Sequence, residues 1–506
     1  MIETPLTDHT SADLHHAVAE AREAQQSWAR LTYRERGRIV GRISRILADR
    51  ADEVAAAIAA CTGKTRVDAM ATEVLPAAMA SAYYAKAAKR FLRPRRIAGG
   101  NPLFFFKRST LLHEPWGVVA IVSPWNYPFA IPLHEVVIAL MAGNGVVLKV
   151  ATLARSVGEH IAQILRDAGL PHGLFQLMHL RGADTTTALV DVGVDKIFFT
   201  GSTAVGKQVM AFAAQKLIPV CLELGGNDAM IVCADANLER AVNGALWAGL
   251  SNCGQSCGGV ERIYVHASVA DAFTNLLAER LQHLRVGRET DFDVDIGTLT
   301  TAGQFATVKA HLAEAVARGA HIVAQVGLED AERRIHPAVI LDRVEASMKV
   351  MTDETFGPVL AVDRFTSEDE AVAKANGTTY GLTASVWTRN QAVARRLADR
   401  LAAGAVTIND HLMSHGMAET HWGGYRESGL GRSHGQMGFE EMTQTKVVVH
   451  DRLHRLPRQI WWYPHSRSVY AGLKGAMEAL YGRGLGRRLS GLFRLLRLLT
   501  RVLRAW

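Results

Sequence analysis

The N-terminal part of the chain alternates apolar and polar positions with the period of an α-helix. In the stretch IVGRISRILADRADEVAAAIAAC, which runs from Ile39 to Cys61, apolar residues recur three and four positions apart. This spacing places the apolar side chains on one face of a helix, where they can pack on a core. We therefore predict helices from about Ser11 to Arg90.

From Val118 the pattern changes to short apolar runs separated by helical segments. Such runs are typical of parallel strands that are buried on both faces and joined by helical crossovers. The pattern predicts an α/β protein with a doubly wound sheet, which binds nucleotides at the carboxyl ends of its strands. The runs are VVAIVSP, NGVVLKV, LFQLMHL, KIFFTG and MIVCAD, followed between about Leu238 and Asp410 by RIYVH, HIVAQV, AVDRF, ASVWT and AVTIN.

The net charge of +8 is concentrated near the C-terminus. Residues 451–506 contain eleven Arg, one Lys and two acids, a balance of +10, so the preceding 450 residues sum to −2. A nearly neutral body argues against a nucleic-acid-binding protein. The five cysteines lack the paired spacing of a metal site, and the N-terminus lacks the apolar segment of a signal peptide. We expect a cytoplasmic protein without a metal.

Four short motifs occur in an order that narrows the function. They are SPWNYP (Ser123–Pro128), FFTGSTAVGK (Phe198–Lys207), CLELGGND (Cys221–Asp228) and SNCGQSCGG (Ser251–Gly259). Glu223 and Cys257 are 34 residues apart, and 97 residues separate Cys257 from Glu354 in the segment ETFGP. In these features the chain resembles the aldehyde dehydrogenase superfamily over roughly Ala17 to Val449, and within it the non-acylating, NAD(P)-dependent members.

Cys257 is the candidate nucleophile. It lies among glycines and polar residues, where a thiol can meet a substrate, whereas Cys253 is expected to be a packing neighbour. A thiolate can add to an aldehyde carbonyl and form a tetrahedral thiohemiacetal, and the resemblance implies that Cys257 does so. The resemblance also assigns the side-chain amide of Asn126, together with the backbone amide of Cys257, to the oxyanion.

Glu223 is the candidate general base. It is flanked by Leu222 and Leu224, and partial burial would raise its pKa toward neutrality, as suits a group that activates water. The resemblance implies that this glutamate activates the water that hydrolyses the thioester. Relatives that transfer the acyl group to coenzyme A usually lack it, so we expect the free acid as product.

The cofactor motif differs from the common dinucleotide fingerprint. GxGxxG is absent, and FTGSTAVG has its glycines at Gly201 and Gly206. The resemblance implies that Ser202 bonds a pyrophosphate at a helix N-terminus, and that Lys149 reaches the adenosine ribose. It further implies cofactor contacts from Trp125, Gly201, Glu354 and Phe356, the last two orienting the nicotinamide ribose and ring.

Thr152 departs from the family pattern. The family commonly has a glutamate at this strand end, which accepts from the ribose hydroxyls, whereas this chain reads Lys149-Val150-Ala151-Thr152. Loss of the carboxylate removes a charge that would repel a 2′-phosphate, and threonine could donate to one. We therefore expect NAD or NADP as cofactor, with NADP tolerated and even preferred.

The C-terminal residues 487–506 form a second distinctive pattern, RRLSGLFRLLRLLTRVLRAW. One helical face carries arginines and the other carries apolar residues, which is typical of a helix in the interface of an anionic membrane. The alternatives are a helix packed on a neighbouring subunit and a basic helix that binds RNA. The arginines are Arg494, Arg497, Arg501 and Arg504, and the apolar residues are Leu492, Leu495, Leu496, Leu499, Val502, Leu503 and Trp506.

The predicted domains follow the resemblance. We expect a Rossmann-like NAD(P)-binding domain over residues 1–224 with a bridging hairpin at about 97–115, and an α/β catalytic domain over 225–425. A return segment and bridging strand follow at 426–450, and a basic amphipathic tail at 451–506. The bridging strands would join subunits in a homodimer or homotetramer.

The predicted function is oxidation of an aldehyde to its acid. A lipid-facing tail favours a long-chain or otherwise lipophilic aldehyde, with peripheral contact to the cytoplasmic membrane face. A semialdehyde or aromatic aldehyde stays open, with the tail serving oligomerisation, as do a cysteine hydrolase and a catalytically idle membrane protein. Pocket residues that would decide the substrate are Trp116, Tyr127, Trp247 and Met413.

Overall fold

The computed structural model describes residues 8–502, apart from the side chains of residues 182–184 and 501. Leu503, Arg504, Trp506 and the side chain of Arg501, which belong to the predicted C-terminal pattern, lie outside the described part. The chain divides into two compact units. The larger unit contains Met1–Arg93 and His113–Gln444, and the smaller unit contains Pro94–Leu112 and Thr445–Trp506.

Helices account for the N-terminal region, as predicted, and alternate with strands thereafter. The helices are α1 (Ser11–Arg30), α2 (Tyr33–Val40), α3 (Ile43–Asp49), α4 (Ala51–Thr62), α5 (Arg66–Ala69), α6 (Leu75–Leu92), α7 (Ala130–Ala142), α8 (Arg155–Asp167), α9 (Gly182–Val192), α10 (Thr203–Ala214), α11 (Leu238–Leu250), α12 (Ala270–Leu281), α13 (Ala302–Ala317), α14 (Lys349–Thr352), α15 (Glu368–Asn376), α16 (Gln391–Ala398), α17 (Met413–Gly416), α18 (Gly435–Glu441), α19 (Arg467–Tyr481) and α20 (Leu485–Val502).

Strands fall where the apolar runs predict them. They are β1 (Arg95–Ile97), β2 (Lys107–Pro115), β3 (Val118–Val122), β4 (Gly145–Lys149), β5 (Phe175–Leu177), β6 (Lys196–Thr200), β7 (Val220–Glu223), β8 (Asp228–Val232), β9 (Val260–His266), β10 (His321–Val326), β11 (Ala338–Asp342), β12 (Val359–Phe365), β13 (Thr383–Trp387), β14 (Ala405–Ile408), β15 (Gly429–Leu430) and β16 (Thr443–Asp451). The prediction of an α/β protein is confirmed.

Local sequence signals explain how the first helices begin. The Thr10 hydroxyl accepts from the backbone amide of Asp13, and the Asp13 carboxylate accepts from the amide of Thr10. Thr32 and Glu35 form the same reciprocal pair at the start of α2. Each pair satisfies two backbone donors that a helix N-terminus leaves without intrahelical partners. By contrast, every residue of α7 is buried, since this helix packs in the interior of the larger unit.

The larger unit contains two sheets. One has six strands in the order β15-β7-β6-β3-β4-β5, and the other has seven in the order β10-β11-β12-β9-β8-β13-β14. Most neighbours are parallel, but the edge strands β15 and β10 pair antiparallel to β7 and β11. The first sheet places Glu223, Thr200, Val122 and Lys149 at the carboxyl ends of four successive neighbours, β7, β6, β3 and β4.

The smaller unit contains a three-stranded sheet in the order β1-β2-β16 and a pair of helices, α19 and α20. A side chain at Gly491 would place its Cβ 2.6 Å from the backbone oxygen of Gly475, so glycine permits the close helix packing. The expectation of one free interfacial helix is therefore incomplete. Leu498 and Val502 of that pattern are buried, and the face that carries them is used for packing.

Within residues 8–502, no helix combines the length and the apolar character that a membrane span requires.

Arg262 on β9 is a buried cation that ties the second sheet to α15. Its guanidinium donates to the carbonyl of Asn227 at 2.6 Å, to that of Ala375 at 3.1 Å and to that of Lys374 at 3.2 Å. Its side chain is 2% exposed. The carbonyl of Lys374 also accepts from the Tyr264 hydroxyl, but among the described hydrogen bonds the carbonyls of Asn227 and Ala375 depend on Arg262. Buried carbonyl groups need partners, so this one side chain satisfies two backbone acceptors of the interior.

Replacing Arg262 by Met should lower the stability of the larger unit. Each buried carbonyl left without a donor costs about 1–3 kcal/mol, so the loss of two donors should reduce the free energy of unfolding by at least about 2 kcal/mol and lower the melting temperature. Arg364→Met is the matched control, because Arg364 is half exposed and pairs only at the surface with Asp271. Differential scanning fluorimetry compares the two variants, and equal melting temperatures would contradict the assigned role.

Candidate active site

The loop that carries Cys257 is held in a strained conformation. Asn252 and Cys253 both have left-handed backbone angles, with φ of 53° and 55°. Non-glycine residues adopt this conformation only where the surroundings enforce it. Here Asp68 accepts from the backbone amide of Asn252 at 2.9 Å, and the side chain of Asn252 donates to the carbonyl of Gln255 at 3.1 Å. The loop in front of Cys257 is therefore braced by buried hydrogen bonds.

One cavity collects most of the residues that the sequence singles out. It has a volume of about 270 Å³. The predicted residues that line it are Trp125, Asn126, Gly201, Ser202, Glu223, Cys257, Glu354 and Phe356. Lys149 and Thr152 are not among its lining residues; Lys149 ends β4, and Thr152 is exposed in the turn that follows. The structure thus brings the nucleophile, base and amide candidates together.

A buried ion pair places Asn126 beside Cys257. Lys64 donates to Glu73 at 2.6 Å and to the backbone carbonyl of Asn126 at 2.8 Å, and both charged side chains are fully buried. The other oxygen of Glu73 accepts from the amide of Phe129 at 2.8 Å, at the start of α7. The side-chain amide of Asn126 donates to the carbonyl of Gln255 at 3.2 Å. Because an amide group has two hydrogens, one remains for the cavity.

The segment that follows Glu223 passes close to the backbone at Cys257. A side chain at Gly226 would put its Cβ 2.3 Å from the backbone oxygen of Cys257, so only glycine fits between the two segments. Glu223 itself is 4% exposed, and neither carboxylate oxygen has a hydrogen-bond partner among the described residues. Its acceptor oxygens are therefore available to a water or a substrate group.

Burial controls the protonation of the reactive groups. Loss of solvation raises the pKa of Glu223 well above its usual range. Burial, followed by the nearby carboxylates of Glu354 and Asp228, raises the pKa of the Cys257 thiol. Cys257 is partly exposed, and it lines two cavities through which a substrate can approach. In this environment the thiol is protonated at neutral pH and needs a base.

The segment ETFGP is held by side chains that the sequence analysis missed. Phe356 has a left-handed φ of 53°. Its amide donates to Glu261 at 2.7 Å, and its carbonyl accepts from Gln304 at 3.0 Å. Its ring meets Trp125 edge to face, with 5.7 Å between ring centroids. An acid inside the apolar run VERIYVH could have indicated Glu261, as it indicated Glu223, but nothing local marks Gln304.

The remaining candidates suit a dinucleotide. Ser202 caps α10 with extended backbone angles and makes no capping hydrogen bond with its side chain, so the hydroxyl and the first helical amides are available to an anion. Glu354 accepts from the amide of Gly226 at 3.0 Å and faces the same cavity. Lys149 is buried at the end of β4, and burial followed by repulsion from Arg155 lowers its pKa. The donor set therefore fits a pyrophosphate and its ribose.

A second cavity also reaches Cys257 and is mainly apolar. It has a volume of about 180 Å³ and includes the predicted pocket residues Tyr127, Trp247 and Met413, together with His415. Trp116 is not among its lining residues; its indole donates to the carbonyl of Glu441 at 3.0 Å, so that prediction is wrong. Burial lowers the pKa of His415 to about 3, so this histidine is neutral. No Lys, Arg, Asp or Glu side chain lines this cavity among the described residues.

Within residues 8–502, no group of three or more His, Cys, Asp or Glu side chains is arranged to hold a metal ion.

Sequence comparison places this site in a known family. A sequence model of the aldehyde dehydrogenase family matches residues 4–448. The chain is 38% identical to 4,4′-diapolycopene aldehyde oxidase of a Methylomonas species, over 93% of this chain and 87% of that protein. It is 36% identical to a protein of Mycolicibacterium smegmatis provisionally named succinate-semialdehyde dehydrogenase [NADP(+)], over 88% of this chain and 86% of that protein.

Structural comparison agrees. The crystal structure of an NAD-dependent aldehyde dehydrogenase from Sinorhizobium meliloti superimposes with a TM-score of 0.85 at 30% identity, covering 90% of each chain. The match of fold and sequence extends over most of the chain, including the segments that carry the candidate site. The chain therefore belongs to the aldehyde dehydrogenase family, whose members are NAD(P)-dependent oxidoreductases.

Proposed function

We propose that the protein oxidises a lipophilic aldehyde to its carboxylic acid. The observation that carries this proposal is the position of Cys257 between two different cavities. One is lined by apolar side chains that suit an aldehyde's hydrocarbon part, and the other contains Glu223 and the donor groups that suit a dinucleotide. A substrate in the first cavity and a cofactor in the second would meet at the thiol.

The first half of the reaction depends on Cys257 and Asn126. Cys257 gives up its proton and its sulfur adds to the carbonyl carbon, while the remaining amide hydrogen of Asn126 stabilises the negative charge on oxygen. The raised pKa of Glu223 makes this carboxylate a suitable acceptor for the thiol proton. NAD(P), when bound, supplies the two-electron acceptor, and Ser202, Glu354 and Phe356 would hold it.

The second half depends on Glu223. After the proton taken from the thiol has left to solvent, the Glu223 carboxylate can accept a proton from water, and the resulting hydroxide attacks the thioester carbon. The carbon–sulfur bond then breaks, which releases the acid and regenerates Cys257. Hydrolysis rather than acyl transfer follows from this base.

The lining of the aldehyde cavity favours a lipophilic substrate over a carboxylated one. A semialdehyde acid would bury its carboxylate beside neutral His415 and apolar side chains, without a cationic partner from the described lining. Burial of an unpaired carboxylate is strongly unfavourable. The Methylomonas relative is named for a diapolycopene aldehyde, which agrees with this proposal, whereas the Mycolicibacterium relative is named for succinate semialdehyde.

We further propose that separate segments of the chain bind the cofactor, carry the nucleophile and join subunits in an oligomer. Residues 1–224 would bind the cofactor, with a bridging hairpin at about 97–115, and residues 225–425 would carry the nucleophile. Residues 426–450 would complete the bridging sheet, because β16 pairs into the sheet with β1 and β2 and has one open edge. A homodimer or homotetramer would use that edge. A lipophilic substrate would also suit an enzyme that works at a membrane surface.

Replacing Glu223 by Gln should separate the two halves of the reaction. Without the base, the acyl-enzyme accumulates, so steady-state turnover falls by about 10²–10⁴-fold, while a first burst of reduced cofactor remains but is slower than in the wild type, because the thiol must give its proton to water. Because protonated Glu223 cannot accept a proton, wild-type turnover should rise with pH through a pKa above that of an ordinary glutamate. Stopped-flow absorbance measures both effects.

The controls for this prediction are two cysteine variants. Cys257→Ala should lose the burst as well as turnover, whereas Cys233→Ala, which removes a buried cysteine of the second sheet, should keep both. Full turnover by Glu223→Gln, or product formation without any nicotinamide cofactor, would contradict the proposed mechanism.

The substrate proposal predicts that kcat/KM for a long-chain aliphatic aldehyde exceeds that for succinate semialdehyde by about 10²-fold or more. Met79→Arg adds a cation at an exposed position of the cavity lining and should narrow this ratio. Met437→Arg, at an exposed position outside the lining, should leave it unchanged. Equal or better activity of the wild type with the semialdehyde would overturn the proposal.

The cofactor site predicts that NADP is accepted. The turn after β4 lacks a carboxylate at Thr152, and Lys149 lies close enough to Arg155 for the two charges to interact. Thr152→Glu should lower kcat/KM for NADP by about tenfold, because a carboxylate repels the 2′-phosphate. The same change should keep or raise kcat/KM for NAD, because a carboxylate can accept from the ribose hydroxyls. Steady-state kinetics with both cofactors test this, and a wild-type preference for NAD of about a hundredfold would refute it.

A further inference from the structure

The smaller unit carries an unusual excess of positive charge. Over residues 94–112 and 445–506 it has seventeen Lys and Arg against two acids, a formal charge of +15, so the larger unit sums to −7. Both acids already belong to ion pairs: Asp451 bonds Lys107 at 2.7 Å, and Glu478 bonds Arg494 at 3.0 Å. Pairing within the unit therefore cannot neutralise its surface, which attracts anions.

An apolar groove lies in the same unit. It has a volume of about 630 Å³ and runs between residues 102–106, residues 453–460 and one side of α20. Its wall is formed largely by aliphatic and aromatic side chains, and the described charged residues that line it are Arg458 and Arg488. A cavity of this size accommodates a substantial apolar group.

Part of the groove lining is exposed to solvent. Phe105 is 73% exposed, Leu489 56% and Leu492 43%, whereas Val502 and Ile460 are buried in the groove wall. Arg488 belongs to the exposed part of the lining. Several large apolar groups exposed together beside a cation indicate an interaction site.

We propose that this groove, together with Arg488 and the positive charge of the unit, docks the smaller unit on the anionic face of a phospholipid bilayer. Bilayers offer phosphate groups above an apolar layer, which matches an exposed arginine beside leucines and a phenylalanine. RNA would pair with the charge but would leave the leucine side chains in water. A second copy of the groove would place a like charge, rather than an anion, opposite Arg488. The proposal does not depend on which aldehyde the enzyme oxidises.

The test is flotation of the full-length protein with vesicles. We expect it to float with vesicles of phosphatidylcholine and phosphatidylglycerol, and to partition at least about tenfold more weakly onto phosphatidylcholine alone or at high salt. Absence of flotation with the anionic vesicles would overturn the proposal.

Variants that leave the net charge unchanged test how much the apolar side chains of the groove contribute to membrane binding. Leu489→Gln combined with Leu492→Gln should weaken partitioning at least about tenfold, because apolar area at the contact is lost. Leu328→Gln, which replaces an 86% exposed leucine of the larger unit, should partition like the wild type. Both variants should retain the wild-type melting temperature and activity on a short, soluble aldehyde.

Three experimental outcomes would show that the groove binds something other than a bilayer, or that another site makes the contact. Equal flotation of the double variant and the wild type would show that the groove is not the contact. A smaller oligomer of the double variant in light scattering, with no flotation of the wild type, would point to a second copy of the chain. Salt-sensitive binding of an RNA oligonucleotide, unchanged in the double variant and displacing the vesicles, would point to RNA. Each contradicts the proposal.

Discussion

The buried pair of Lys64 and Glu73 connects the helical region to the site. Its two charges lie out of water, and they are tolerated because each makes further hydrogen bonds, to the carbonyl of Asn126 and to the amides of Phe129 and Ala130. Those bonds fix both the turn after β3 and the start of α7. The amide of Asn126, the loop before Cys257 and the wall shared by the two cavities all depend on that turn.

Desolvation then sets the chemistry. The same interior that raises the pKa of Glu223 also raises that of the Cys257 thiol, so burial favours the neutral form of both groups in the cavity that they share. Glu261 shows the structural use of the same effect: burial raises its pKa to about 7, yet it holds the strained segment at Phe356 through two backbone amides. Buried carboxylates thus serve both reactivity and support.

The two units differ in formal charge and in how much apolar surface they expose. The larger one covers its apolar strands with helices and carries a small negative balance, as an enzyme body does. The smaller one combines a high positive charge with an uncovered apolar groove on α20. Glu478 illustrates the difference, because it is nearly buried in the helix pair and retains Arg487 and Arg494 as partners. A lipid surface would cover the apolar groove of the smaller unit, as helices cover the apolar strands of the larger one.

The sequence by itself determined the α/β class and most strands, because the period of apolar residues is a local property of the chain. The motifs and their order carried the resemblance that implied the candidates Cys257, Glu223 and Asn126. Only the tertiary structure decided what surrounds them. Lys64 and Gln304 contact Asn126 and Phe356 across 62 and 52 residues, and no local pattern records such contacts. The same holds for the exclusion of Trp116 from the aldehyde cavity and for the packing of α19 on α20. Periodicity tells which residues share a face, but long-range packing selects the partner of that face.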